Sequence, residues 1–149
     1  MSTAAALGRG LIAGLAGTAV MTAFQELVEM PVTRRRDSYA PADLVEAATP
    51  LHPTTAAGRT RLNWAAHFGF GGAWGLGYGV AARAGLRGQR AVHTVFAVLY
   101  PADVLVATAL GVYHPRRWTA LDWVVDAGNK YVALQATAQV HDRLLARDS

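Results

Sequence analysis

Apolar residues run along this chain in four long stretches, each bounded by arginine. They cover residues 10–30, 62–82, 91–113 and 118–140, which is 21, 21, 23 and 23 residues. Arg9 and Arg34-Arg35-Arg36 flank the first, Arg61 and Arg83 the second, Arg90 and Arg116-Arg117 the third, and Arg117 and Arg143 the fourth. A helix rises about 1.5 Å per residue, so each stretch is long enough to cross a hydrocarbon core of about 30 Å. Thirteen of the 14 basic residues lie outside the stretches, Lys130 being the exception, and only Pro101 of the six prolines lies inside. Arginine is costly at mid-bilayer and cheap at its edge, so this partition predicts four spans. Trp64, Tyr113 and Trp118 fall near the ends of their stretches, where an aromatic belt sits. The expected fold is all-α: an integral membrane four-helix bundle in a single domain over 1–149, with a short amphipathic helix in its first loop.

Two other readings fit the pattern less well. A soluble four-helix bundle needs a polar face on each surface helix, yet 62–82 and 10–24 contain no Asp, Glu, Lys or Arg. A cleaved signal peptide would use Arg9 and 10–20 as its basic and apolar regions, but no small-x-small cleavage site follows. An even number of spans places both termini on one side, here called side A, with the loop 31–61 on side B. Six arginines flank side A and seven flank side B, so the positive-inside rule does not orient the chain.

Composition narrows the function. Apolar residues make up 52% and charged residues 16%, against about 25% charged in ordinary soluble domains. There is no cysteine, which excludes disulfides, thiolate zinc sites and cysteine nucleophiles. The net charge of +4 does not mark a nucleic-acid binder, because the arginines are spread over helix flanks on both sides. The serines, Ser2, Ser38 and Ser149, lie outside the spans, which argues against a serine hydrolase within the membrane. No catalytic residue and no cofactor is assigned, and enzymatic activity is not expected.

The loop 31–61 carries four prolines. Within it, 38–48 reads as a short helix: Pro41 suits a first turn, Asp43 and Glu46 complement the dipole, and Leu44, Val45 and Ala48 make one apolar face for the interface or the bundle. Arg34-Arg35-Arg36 forms a stop-transfer flank or a contact with anionic headgroups.

Small residues recur every four positions in the first two spans. One row is Gly10, Gly14, Thr18, Thr22 and Glu26; the other is Asn63, His67, Gly71, Gly75 and Gly79. Such rows let two helices approach closely in lipid. Antiparallel pairing would bring Glu26 near His67 or Asn63.

Half of the ten acids lie inside the spans: Glu26, Glu29, Asp103, Asp122 and Asp126. Asp122, Asp126 and Lys130 are spaced by four and share a helix face with Asn129; Asp126→Lys130 is the favourable acid-first order. Asp103 follows Pro101, whose kink would free a carbonyl for Asn129, Lys130 or water. His93 lies alone near side A. The pattern predicts a polar cavity open to side B and deepest at Asp103, Asp126 and Lys130. Its lining would be Glu26, Glu29, Asn63, His67, Asp122 and Asn129. Five acids cannot all stay ionised beside one lysine and two histidines unless they are hydrated, protonated, or paired with a bound cation or a loop arginine. Proton or small-cation binding or passage follows; the alternative is a structural or assembly subunit whose buried charges lock the bundle. Glu26, Glu29 and His67 form a carboxylate/imidazole set, but no HxxxH, HExxH or ExxH occurs and no metal is assigned. The expected partners are the lipid bilayer and a second copy or another membrane protein, since four short spans make only a thin pore.

The run from Gly10 to Ala23 (GLIAGLAGTAVMTA), the run from His67 to Gly75 (HFGFGGAWG), and a loop carrying Arg36, Ser38, Tyr39, Pro41 and Glu46 resemble small bacterial inner-membrane proteins of the YagU type. The resemblance covers 7–80. It implies a cell-membrane location and a multi-pass topology, and a loose association with acid or envelope stress, with no established activity. The Asp122/Asp126/Lys130 face has no counterpart in it.

Overall fold

The computed structural model describes residues 2–145, and over them the chain is all-helical, with no strand. The first helix, α1, runs Thr3–Thr33, through a wide π turn at Gln25–Glu29. A short helix α2 (Ala40–Ala48) follows, then α3 (Ala56–Arg83), α4 (Gly88–Ala109) and α5 (Ala120–Val140). A second π turn, His141–Leu145, extends α5. Two of these helices, Thr3–Thr33 and Gly88–Ala109, are long and apolar enough to cross a membrane.

Glycine and alanine set the packing. The two small-residue rows of α1 and α3 meet antiparallel, Gly10 against Gly79, Gly14 against Gly75 and Thr18 against Gly71. A Cβ on Gly14 would lie 2.7 Å from the Gly75 Cα, so only glycine permits this approach. Thr18 and Thr22 turn their hydroxyls back onto the carbonyls of Gly14 and Thr18, both at 2.8 Å, and leave no donor unmet. The adjoining face of α1 carries a contact that the sequence rows do not include: Gly17 abuts Ala133 and Thr137 of α5. Helix α1 is therefore held between α3 and α5. Helix α4 packs on the same pair around Tyr78, Val92, Val95 and Leu134, the apolar core of the side-A half. Its outer face stays bare, with Val98, Leu105 and Val106 all more than half exposed.

Helix ends follow cap chemistry, and they depart from the apolar stretches. Helix α4 stops at Ala109, short of Tyr113, because Gly111 takes a left-handed φ of 76°. The Gly111 and Val112 amides then donate to Thr108 and Ala107 (3.0 and 2.9 Å), closing a Schellman motif. Gly85, at φ 90°, ends α3 in the same way and seats Leu86 against the core.

Two helices lack a side-chain cap of their own and borrow one. The amide of Ala42, in the first turn of α2, donates to Asn63 Oδ1 of α3 at 3.1 Å, and Asn63 Nδ2 donates to the Ser38 carbonyl at 3.0 Å. Helix α2 thereby lies over the bundle, with Ala42 fully buried and Arg59 of α3 paired to Asp43 and Glu46. At side A, Asp142 accepts from the Gly88 amide that begins α4 (2.9 Å), from the Tyr78 hydroxyl (2.7 Å) and from His141 Nδ1 (2.9 Å). One carboxylate thus fastens α3, α4 and the end of α5. Burial alone raises its pKa, but the hydrogen bonds from His141, Tyr78 and Gly88 outweigh that and hold the carboxyl below its ordinary value. A depressed folded pKa stabilises above the unfolded value and is lost as pH falls through the folded one. Asp142→Asn is expected to cost about 2 kcal/mol at neutral pH, the worth of charge-assisted hydrogen bonds. Thermal melts taken downward from pH 7 check this: the gap between wild type and variant narrows below about pH 4, the ordinary carboxylate range. A gap independent of pH would contradict it.

Candidate functional site

The side-B half of the bundle is hollow. A cavity of about 420 Å³ opens between the end of α1, the segment 35–41, the start of α3 and the first half of α5. Glu26, Glu29, Asn63, His67, Asp122, Asp126, Asn129 and Lys130 all line it. Asp103 lines a smaller neighbour of about 110 Å³, which shares His67, Tyr113 and Lys130 with the first.

Lys130 lies ten residues into α5, about 15 Å along the helix axis. Its three N–H groups are all used. Nζ donates to Asp103 Oδ2 at 2.6 Å, to Asp126 Oδ1 at 2.8 Å and to the Tyr113 hydroxyl at 3.0 Å. Tyr100 and Tyr113 each donate to Asp126 at 3.0 Å. The lysine also lies 5.4 and 5.0 Å from the centres of those two rings. Two carboxylates share one ammonium, so this network keeps one negative charge in excess. Neither tyrosine was expected in the site, Tyr113 being placed in the aromatic belt. Tyr100 stands three residues before Asp103, on the same face of α4, and that spacing was the available signal. Tyr113 comes from the α4–α5 connection, for which helical spacing gives no cue.

Two expected contacts are not made. Glu26 meets neither His67 nor Asn63. The helix pairing continues through Thr22, whose Oγ1 lies 2.9 Å from His67 Nε2, and then the π turn at Gln25–Glu29 breaks the four-residue step. The wide turn closes with the Met30 amide on the Gln25 carbonyl, and the four-residue row ends there. Asn63 is left to cap α2. Because Thr22 gives its own hydrogen to the Thr18 carbonyl, His67 donates through Nε2 and leaves Nδ1 as its acceptor. Second, neither Asn129 nor Lys130 bonds a carbonyl freed by Pro101: Lys130 donates to side chains, and the Asn129 amide makes no hydrogen bond among the described residues. Asp122 lies outside the Lys130 network, in the lining nearer side B. It pairs with Arg35 and closes a capping box with Thr119 at the start of α5.

His93 is hydrogen-bonded to Tyr131 at 3.0 Å, away from the cavity. Glu29 accepts from Thr33 at 2.8 Å, while Glu26 is exposed to the cavity with no hydrogen bond or ion pair among the described residues. Among the described residues no three His, Asp or Glu side chains gather as a metal would need. The lining carries five carboxylates (Glu26, Glu29, Asp37, Asp122 and Asp126) against Arg35, Arg36 and Lys130. Two negative charges therefore remain inside a partly enclosed space. Field lines from such a cleft raise the local concentration of cations. Compared with models of protein families, with curated proteins and with solved structures, the chain matches none.

Proposed function

We propose that this chain is a four-span integral membrane protein whose side-B cavity binds, and in an oligomer passes, protons or a small cation. The membrane reading is supported by the apolar helices α1 and α4, by arginine at the helix flanks, and by exposed Leu27, Val32, Val98, Leu105 and Val124. The polar side chains of α3 and α5 then turn inward to the cavity, as ionisable groups in membranes do. The observation that carries the cation reading is the surplus of carboxylates, with Glu26 unpaired at the mouth. Glu26 takes the cation first, and the Asp103–Lys130–Asp126 network forms the inner end.

The test is relaxation of an imposed pH gradient, and separately of a potassium gradient, in vesicles carrying the purified protein. Wild type is expected to dissipate at least one of them faster than empty vesicles. Glu26→Gln is expected to slow that step about tenfold, the effect of losing one charge-assisted contact. Gln89→Ala, on side A, leaves it unchanged. Equal rates for wild type and Glu26→Gln sink the reading.

The complete ion pairing of Lys130 favours a second reading, in which the chain is a structural or assembly subunit and the charges serve only to lock its helices. That reading predicts no flux from any variant or from wild type.

A further inference from the structure

We propose that the occupant of the side-B cavity is a small organic ammonium ion carrying N–H groups, a primary or secondary amine. This rests on the cation-cavity reading above and names the class of cation.

Size comes first. A cavity of about 420 Å³ falls in the range that takes small organic molecules, about 300–1,000 Å³, whereas a single water occupies about 30 Å³. A bare metal ion needs converging ligands instead, and no three His, Asp or Glu side chains gather among the described residues. Charge comes second. The surplus of carboxylates repels an anion and favours a cation, and Glu26 has no other partner among the described residues. The walls come third. Trp64 and Trp118 face the same space as the acids. Aromatic faces beside carboxylates bind alkylammonium groups well, because each ring offers both apolar contact and a negative face. Tyr39 and Tyr113 already hold a cation of the chain's own, Arg59 and Lys130, at 4.9 and 5.0 Å. Trp64 and Trp118 hold none among the described residues.

Asn129 supplies an independent observation. It lines the cavity and is only 7% exposed, yet its amide makes no hydrogen bond with any described residue, and its oxygen is buried. A buried acceptor without a donor costs about 1–3 kcal/mol. Rotation of this amide toward the cavity lets its oxygen accept from an N–H, which a proton-bearing amine supplies and a quaternary ammonium does not. The smaller cavity alongside, walled by Phe70, Trp74 and Leu134, has room for a short hydrocarbon tail.

The experiment is titration of the purified full chain in lipid nanodiscs with the chlorides of propylammonium, tetramethylammonium and potassium. Ionic strength is held constant, and binding is read by calorimetry and tryptophan fluorescence. Propylammonium is expected to bind about tenfold more tightly than either of the others, the worth of one charge-assisted hydrogen bond. Glu26→Gln is expected to weaken propylammonium about tenfold, and Asn129→Leu to weaken propylammonium while leaving tetramethylammonium unchanged. Should Asn129→Leu fail to melt cooperatively, Trp118→Leu replaces it, with a loss of a few-fold for one cation–π contact. Tetramethylammonium binding as well as propylammonium overturns the N–H requirement and the proposal. Propylammonium binding no better than potassium also overturns it, and Glu26-dependent potassium binding or proton flux would then leave the cation cavity standing. No binding by any probe, together with no flux, removes both.

Discussion

Gly75→Leu is expected to prevent the bundle from assembling. A Cβ at position 75 would lie 2.5 Å from the Gly14 Cα and 2.7 Å from its nitrogen. Those atoms are backbone and cannot swing aside, so α1 and α3 must separate. The separation forfeits the contacts from Gly10–Gly79 through Thr22–His67. Overpacking a core with a flexible neighbour costs about 1–3 kcal/mol, and a rigid one costs more. The loss here is put at more than about 3 kcal/mol, enough to unfold a protein of ordinary stability when added to the lost contacts. Thermal unfolding and monodispersity in detergent read it directly. Gly69 is the internal control: it stands on the same helix, on the outward face, with nothing within 4 Å of an added Cβ. Gly69→Leu is expected to melt like wild type. If Gly75→Leu also melts like wild type, the close approach of α1 and α3 is not what holds the bundle.

That register was legible because it depends on side-chain size alone. Glycine at every fourth position marks where two backbones touch, whatever the surroundings, and the pairing of Gly10, Gly14 and Thr18 with Gly79, Gly75 and Gly71 follows. Legibility ends at Gln25. A π turn is a tertiary compromise with no side-chain spacing of its own, so the step from Thr22–His67 to Glu26–Asn63 could not be seen to fail. The borrowed caps were hidden for a related reason. Sequence rules look for a cap just before its helix, but Asn63 and Asp142 cap helices that lie 21 and 54 residues away in the chain. Gly17 escaped notice because it lies between the four-residue rows, on the face that meets α5. The acids were easier. Five of them in long apolar stretches had to have partners or water, and a loop arginine was among the partners that the charge arithmetic allowed; Arg35 on Asp122 is one. Arithmetic names the need for a partner, and only the fold chooses which group meets it.

Lys130→Met is expected to be the most damaging single change within the cavity. It keeps most of the volume of the side chain, but it leaves Asp103 and Asp126 with no cation between them. Removing one member of a buried ion-paired set costs about 3–5 kcal/mol, because the remaining charges stay buried without compensation. Asp126→Asn is expected to cost far less, about 1–2 kcal/mol. Lys130 then still has Asp103 at 2.6 Å and Tyr113 at 3.0 Å, and the amide oxygen still accepts from a tyrosine. The asymmetry distinguishes a shared lysine from two independent pairs, which would make the losses similar. Adding Asp103→Asn to Lys130→Met removes one of the two uncompensated charges. The double variant is expected to regain more than about 1 kcal/mol over the single one, the coupling typical of groups in one network. Flux and propylammonium binding on that double variant then separate the two functional readings. If the network is only a lock, restored stability restores nothing else, since there was no flux to restore. If it is the inner end of a cation path, the refolded double variant still takes up the amine at Glu26 but passes little or nothing.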